Sequence, residues 1–473
     1  MATLINTLNG LVWSPALIYL CLGAGLYFSV RMRFPQVRHF GRSARLLFSS
    51  AASVRGVSSF QAFALAISGR VGTGNIAGVA TAIAFGGPGA VFWMWAIAFL
   101  GAGSAFVEAA LAQIYKEEIN GQFRGGPAYY IERGLKMKWY AVAFAGVTLL
   151  AAGVFMPNVQ AHSIGAALDN AFAVPRWATG LGIAGLMAFI AFGGLRRLSR
   201  AAELIVPFMT IGYILVAVIV AAAHWREVPR VLGLIFESAF GGGAVFGGIV
   251  GQAIAWGVKR GVYSNEAGQG TAPMAAAAAE VKHPAEQGLV QAFSVYFDTW
   301  FVCSATAFMI LLTGTYNVVD GAGGFLHQAV PGLEVGPAFT QAAVDRVIPG
   351  FGAGFVAVAL FFFAFTTIMA YYFYAETSLS YLKRQDTKPW MLNLLRVVFV
   401  AIVYWGTSHP AELAWAMGDI GVGAMAWLNL IAILLLARPA VECLRDYEKQ
   451  LKTGGPIRYG GPGDGNGPTS VWK

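Results

Sequence analysis

Apolar runs long enough to cross a bilayer recur from one end of this chain to the other. A helix of about 20 apolar residues spans roughly 30 Å of hydrocarbon. Eleven such runs are legible, near 11–30, 59–85, 90–115, 140–168, 178–195, 203–223, 243–270, 288–313, 350–382, 391–408 and 411–437. In hydrocarbon every backbone polar group must bond within the protein, so runs of this length span as helices. The expected fold class is an all-α polytopic membrane protein. Composition agrees: of 473 residues, 57% are hydrophobic and 12% charged, about half the charged share of a soluble domain.

The net charge of +9 would suit a nucleic-acid binder, but its distribution excludes that reading. Placing the connection after the first run in the cytoplasm puts Arg31, Arg33, Arg38, Arg42, Arg45 and Arg55 there. It also internalises Lys116 to Lys138, the "LRRLSR" turn, Lys259 and Arg260, "LKRQDTK" and the tail. The outward connections keep Arg176, Arg226, Arg230 and Arg346. This positive-inside asymmetry places the N-terminus outside and the C-terminus in the cytoplasm of a multi-pass protein of the cell (inner) membrane. Arg70 is left as the lone basic residue expected within a span. The first run has its basic flank after it and none before, so it reads as a retained span rather than a cleaved signal. The tail, "KTGGPIRYGGPGDGNGPTSVWK", is rich in Gly and Pro and is expected to be disordered. Cys21, Cys303 and Cys443 are scattered, with neither disulfide nor metal spacing.

With the first run set aside (residues 1–58), ten remain, as five in 59–223 and five in 224–437, followed by a cytoplasmic tail over 438–473. The first helix of each set is interrupted by glycine, at "SGRVGTGNIAG" and at "GQAIAWGVKRGVYSNEAGQG". Five spans per set insert the two halves in opposite orientation. Paired broken helices in inverted halves point to the binding site of a secondary transporter. Glycine also serves close helix contacts, but Arg70, Asn75, Asn265 and Glu266 beside the glycines favour a site. The connection 314–349 is long, and its "PAFTQAAVDRVIP" has helical spacing; it reads equally as a cap over the external mouth or as a plain surface helix.

Unwinding over residues 69–73 would expose carbonyls near Ser68 and Val71 and amides near Thr73, Gly74 and Asn75. The carbonyl end suits a small cation and the amide end a carboxylate. Asn75 is a fitting cap for the outer half. One break thus offers adjoining sites for Na⁺ and for an amino-acid carboxylate.

The segments "VGTGNIAGVATAI", "VKRGVYSNEAGQGTAPMAAAAAEVKHPAEQG" and "FDTWFVCSATAF" resemble the alanine or glycine:cation symporter family, which is sodium:alanine symporter-like. The similarity covers about residues 55–435. It implies a LeuT-like 5+5 inverted-repeat core preceded by one extra N-terminal transmembrane helix. It implies Na⁺-coupled uptake of alanine or glycine, in some members both alanine enantiomers, and in some H⁺ as the coupling ion. Carried over, the carbonyls of Ser68, Val71 and Phe363 and the hydroxyls of Thr366 and Thr367 would hold Na⁺. The alternative for a Thr pair is back-bonding to the preceding turn. The amides of Thr73 and Gly74 would take the substrate carboxylate. Gln252, Ala255, Trp256 and Gly257 would face the substrate, Trp256 shrinking the cavity or serving as packing bulk. Gln160 and Asn158 would hydrogen-bond it, or act as interhelical glue alongside His162.

An arginine mid-membrane costs about 2.5–3.5 kcal/mol on insertion scales, so Arg70 calls for an acid. Asp298 is expected to pair with it and to occupy a second cation position known in some relatives. Glu108 and Glu266 are the other acids in reach; either would partner Arg70 or join Lys259 and Arg260 in an inward gate. Asp419 lies where this fold often places an external-gate residue. In relatives with that gate the base sits on the first core helix, where this chain has Gly78, so Asp419 is expected to bond a neutral group. A single "VGTG" does not make the symmetric carbonyl filter of a channel. No H-E-x-x-H or G-x-S-x-G is present for an intramembrane enzyme. An H⁺-coupled small amino-acid permease of the same fold is the nearest alternative.

Overall fold

The computed structural model describes residues 2–48, 56–119, 121–241, 246–320, 324–384, 388–461 and 472. Arg55, part of the "LKRQDTK" connection and half of the Gly/Pro-rich tail lie outside the described residues.

Among the described residues, eight helices are long and apolar enough to cross a membrane, with two shorter apolar helices between them. A helix over Ala2–Val12 leads through Trp13 into α1 (Pro15–Arg31). The first interrupted helix comprises α2 (Ser59–Arg70), a π-helical turn at Gly74–Gly78, and α3 (Val79–Gly86). Next come α4 (Gly89–Ile114), α5 (Lys138–Leu150), α6 (Met156–Phe172), α7 (Arg176–Ala191), α8 (Gly194–Ala223) and α9 (Val228–Phe240). The second interrupted helix comprises α10 (Val250–Asn265) and α11 (Ala272–Ala278). α12 (Pro284–Tyr296) and α13 (Ser304–Thr313) are joined by a π-helical stretch, Phe297–Cys303. Then follow α14 (Pro337–Val347), α15 (Gly352–Lys383), α16 (Pro389–Gly406), α17 (Ala411–Leu435) and α18 (Ala437–Thr453).

The packing explains the hydropathy. On α8, Leu204, Phe208, Ile211, Leu215 and Val218 are exposed along one helix face, the stripe that helical periodicity directs at lipid. Two helix groups form the interior. α4 lies against α1, α10 and α12, whereas α6 lies against α15, α16 and α17, and α7 against α16. Between them α2 packs on both α8 and α15.

Two hairpins mark the two faces. On the basic face, β1 (Glu117–Ile119) pairs antiparallel with β2 (Gln122–Arg124). There Arg38 bonds Glu448 at 2.7 Å and Arg42 bonds the Tyr447 hydroxyl at 2.9 Å, docking α18. On the opposite face, β3 (Asn317–Val319) pairs with β4 (Phe325–Gln328). The helical spacing of "PAFTQAAVDRVIP" corresponds to α14, which packs on α13, α15, α3 and the π-turn, with Phe339 fully buried.

Two expectations are corrected here. The run placed near 243–270 continues beyond its break to Ala278 as α11. Lys259 and Arg260 do not lie in a basic-face connection: α10 is uninterrupted from Val250 to Asn265 and carries both within it. Arg70 is therefore not the lone basic residue inside a span.

Candidate functional site: two interrupted helices

α2 begins with a reciprocal cap, Ser58 Oγ accepting from Gln61 N and Gln61 Oε1 accepting from Ser58 N, each at 3.1 Å. It holds as far as Arg70, so the break is confined to Val71 and Gly72 and is narrower than the 69–73 unwinding expected. Val71 leaves the helical region at φ −78°, ψ 89°, and the Gly72 amide donates to Asn75 Oδ1 at 2.8 Å. Gly72 is required by close approach: a Cβ there would collide with Thr367 Oγ1 and lie 3.1 Å from Gln160 Oε1.

The carbonyl end of α2 meets α15. Thr367 Oγ1 stands 3.4 Å from Val71 O and 3.0 Å from Phe363 O, and Thr366 Oγ1 stands 2.9 Å from Phe363 O. Both hydroxyls thus back-bond to the preceding turn, and Thr367 also meets Val71 O, whereas Thr366 Oγ1 stands 3.8 Å from Met209 Sδ of α8. Ser68, fully buried, bonds its hydroxyl to Leu65 O at 2.9 Å, so what it turns toward the break is backbone. These are uncharged oxygens on two helices, a donor set suited to a hard monovalent cation.

On the amide side, Thr73 donates from both N and Oγ1 to Gln160 Oε1, at 3.0 and 2.8 Å. Gly74 packs against α10, where a Cβ would come 3.2 Å from Ser264 Cα. Asn75, besides capping Gly72, donates from Nδ2 to Asp298 Oδ1 at 2.7 Å. Asn158 is not brought to this cluster: its Nδ2 bonds Val154 O of its own helix at 2.6 Å, and its Oδ1 faces Gly406 of α16.

The second break spans Glu266 to Thr271. Glu266, Gly268 and Gly270 all have positive φ, at 54°, 78° and 90°. The released amides are claimed by an acid: Glu108 accepts from Gly268 N and Gly270 N at 3.2 Å each, and from Asn429 Nδ2 at 2.8 Å. Glu266 Oε2 lies 3.5 Å from the Tyr374 hydroxyl. Neither acid joins Lys259 or Arg260; both stand at the break itself, Glu266 as its first residue and Glu108 on the amides of Gly268 and Gly270.

Arg70 does not pair with Asp298. Arg70 Nη1 bonds Ser294 Oγ and, at 3.2 Å, Gln291 O, while its Nε and Nη2 are buried without a partner. Asp298 is instead saturated by hydrogen-bond donors: Asn75, Ser264 Oγ at 2.9 and 3.1 Å, and Thr299 Oγ1 at 2.8 Å. Three donors, the Ser264 hydroxyl shared between both oxygens, thus satisfy this carboxylate without an ion pair. The expected Arg70–Asp298 ion pair is therefore not formed.

Asp419 also departs from expectation. It accepts Nη1 and Nη2 of Arg260 at 2.9 Å each, and Lys259 Nζ at 2.8 Å. Gly78 is the reason: a Cβ there would stand 3.8 Å from Arg260 Cδ, so a base on α10 crosses the position where one on the first helix was expected. The Arg260 guanidinium lies over Trp415, Trp256 and Tyr263, at 4.6, 5.2 and 5.6 Å from the ring centroids.

Gln252, Ala255, Trp256 and Gly257 precede this ion cluster on α10 and are not at the breaks. Gln252 is exposed. Ala255 and Trp256 line a cavity of about 350 Å³ shared with Asn9 and Trp13. Trp256 also stacks on Phe85 at 4.7 Å. Gly257 serves close packing, since a Cβ would strike Ala90 O of α4.

Sequence reasoning missed a second buried ion pair, Arg124 of β2 to Glu376 of α15 at 2.5 Å. Arg124 also bonds Thr377 Oγ1 at 2.9 Å, and Tyr372 donates to Glu376 at 2.7 Å. The signal available was an acid inside the last turns of a long apolar run. It also missed Ser264 and Thr299, the donors that saturate Asp298.

Comparison with known proteins now joins this geometry. The profile of the sodium:alanine symporter family matches residues 1–458. The YrbD protein of Bacillus subtilis (strain 168) is 59% identical over 454 residues, covering 96% of this chain and 94% of YrbD. A protein of Bacillus sp. (strain PS3) named as a sodium/proton-dependent alanine carrier is 51% identical over 411 residues, covering 87% of this chain and 92% of its own. Among solved structures, a Na⁺-coupled sialic acid symporter superposes with a TM-score of 0.53 at 12% identity, covering 96% of this chain and 93% of that one. At that identity the likeness concerns the fold. With interrupted helices at its centre and a family profile matched nearly end to end, the chain belongs to the sodium:alanine symporter family, transporters rather than enzymes.

Proposed function

We propose that the chain carries alanine, with glycine and D-alanine as further substrates, into the cell together with Na⁺ by alternating access. The core would be two five-helix inverted repeats of LeuT-like form after one N-terminal helix, with the basic face cytoplasmic and the N-terminus outside. One observation carries the reading: Thr367 Oγ1 of α15 lies 3.4 Å from Val71 O, where α2 ends. A Na⁺ held by Val71, Phe363, Thr366, Thr367 and the Ser68 carbonyl would join α15 to the break. That would organise the Thr73 and Gly74 amides for the substrate carboxylate. The carboxylate would displace Gln160 from Thr73, freeing Gln160 for the amino group. Ion and substrate then strengthen each other's binding, which is coupling in the thermodynamic sense. The Arg260–Asp419 and Arg124–Glu376 pairs flank the breaks on opposite faces, and transport would open one while the other holds.

A second reading, H⁺ as the coupling ion, is favoured by the name of the PS3 relative and by the buried acids Glu108, Glu266 and Asp298. Uptake of labelled alanine into proteoliposomes, with Na⁺, Li⁺ or choline outside and pH clamped, separates the two. Na⁺-dependent accumulation that Thr367→Ala weakens supports the proposal. Accumulation in choline driven by a pH gradient alone refutes it.

A further inference from the structure

The N-terminal helix stands outside the transport core yet reaches the ion cluster on the opposite face. Trp13 Nε1 donates to the backbone carbonyl of Asp419 at 2.8 Å. Lys259 Nζ, already 2.8 Å from Asp419, also lies 3.3 Å from Asn9 Oδ1 and 5.6 Å from the centre of the Trp13 ring. The segment is anchored to α17 on its other side, where Trp427 Nε1 donates to Val12 O at 2.9 Å. Gly423 of α17 leaves the room for this: a Cβ there would collide with Val12 and stand 2.9 Å from Trp13 Nε1.

We propose that Asn9 and Trp13 form a clasp on the gate, holding Lys259 of α10 and Asp419 of α17 together in the closed arrangement. Asp419 is then gripped twice, through its carboxylate by Arg260 and Lys259 and through its carbonyl by Trp13. Lys259 is shared between α10 and the clasp. The cavity of about 350 Å³ between Asn9, Trp13, Ala255 and Trp256 gives Lys259 space to swing when the clasp releases. Asn9 and Trp13 are positioning residues: they touch neither ion nor substrate and act by setting how often the gate opens.

The inference rests on reading Arg260–Asp419 as a gate, and the test separates the two claims. Gly78 lies beneath Arg260, and a Cβ there meets only ordinary van der Waals contact, so Gly78→Cys serves as the reporter of solvent entry past the gate, once its uptake is shown to match the parent's. The chain's own Cys21, Cys303 and Cys443 are buried. Modification of G78C by a membrane-impermeant thiol reagent is followed in membranes, alone and combined with Asp419→Asn, Asn9→Ala or Trp13→Phe. D419N is expected to accelerate modification. N9A and W13F are each expected to accelerate it by about two- to tenfold, the span of one net hydrogen bond. W13F removes ring bulk as well as the Nε1 donor, so N9A, which leaves the Trp13 ring in place, is the arm whose rate a packing role of Trp13 alone leaves at the parent value. Acceleration by D419N with parent rates in N9A and W13F overturns the clasp. No acceleration by D419N overturns the gate itself.

Discussion

Thr73 and Gln160 are joined twice: the amide and the hydroxyl of Thr73 both donate to the one oxygen Gln160 Oε1, at 3.0 and 2.8 Å. A neutral side-chain oxygen therefore stands where a substrate carboxylate is proposed to bind. Replacing Gln160 with Ala removes both this stand-in and its later contact with the amino group. The KM for alanine is expected to rise about two- to tenfold, one net hydrogen bond, with kcat changing less. Uptake rates over a range of alanine concentrations check it.

Thr367→Ala removes the oxygen that bridges α15 to Val71. A polar contact to a charged group is worth about 1.5–3 kcal/mol, so the Na⁺ concentration for half-maximal uptake should rise about 10- to 100-fold. Thr367→Ser should stay near the parent. Gly72→Ala should abolish uptake, because its methyl would occupy the place of that same oxygen. Na⁺ titrations of initial rate test all three.

Asp419→Asn leaves Arg260 and Lys259 facing a neutral group in a buried setting. Removing one partner of a buried pair costs about 3–5 kcal/mol, here lowered by the aromatic rings around Arg260. A fall in melting temperature of the purified protein is expected, together with reduced uptake. Arg260→Lys should not restore function, because it loses the two-pronged grip on Asp419.

His283 predicts a pH dependence away from the transport path. It sits at the start of α12, buried, with Nδ1 accepting from Ala285 N at 3.2 Å and Nε2 facing Asp446 of α18 at 3.1 Å. Burial holds the imidazole below its ordinary value of 6.5, Asp446 opposing. A histidine kept neutral by the fold lends its stability above that ordinary value and loses it as pH falls through it and below. Protonation also removes the Nδ1 acceptor. Protection of the amides over residues 437–453, taken relative to their intrinsic exchange rate at each pH, should therefore be high at neutral pH and lower in mild acid, and His283→Asn should flatten the difference.

The eight long apolar helices among the described residues were legible because lipid demands unbroken apolar runs, and the first break because Gly69, Gly72 and Gly74 crowd into one such run. Partnerships were not legible. Asp419 pointed to a neutral partner because the first helix has Gly78 where a base would stand, whereas Arg260 reaches it from α10. Asp298 looked like the mate of Arg70, yet Asn75, Ser264 and Thr299, drawn from three segments, already saturate it. Gly257 was read with the substrate, although its role is contact with α4, which glycine spacing alone cannot distinguish. Arg124 and Glu376 went unnoticed because charges at the ends of spans are ordinary until folding buries them against each other.

The bare position at Gly78 changes which movement unlocks the molecule. A base rooted on the first interrupted helix would tear its lock open whenever that helix tilted to release its ion. With the Arg260 bolt rooted on α10, the transport cycle proposed above would let the sodium end loosen toward the cytoplasm while Arg260 and Asp419 stay joined.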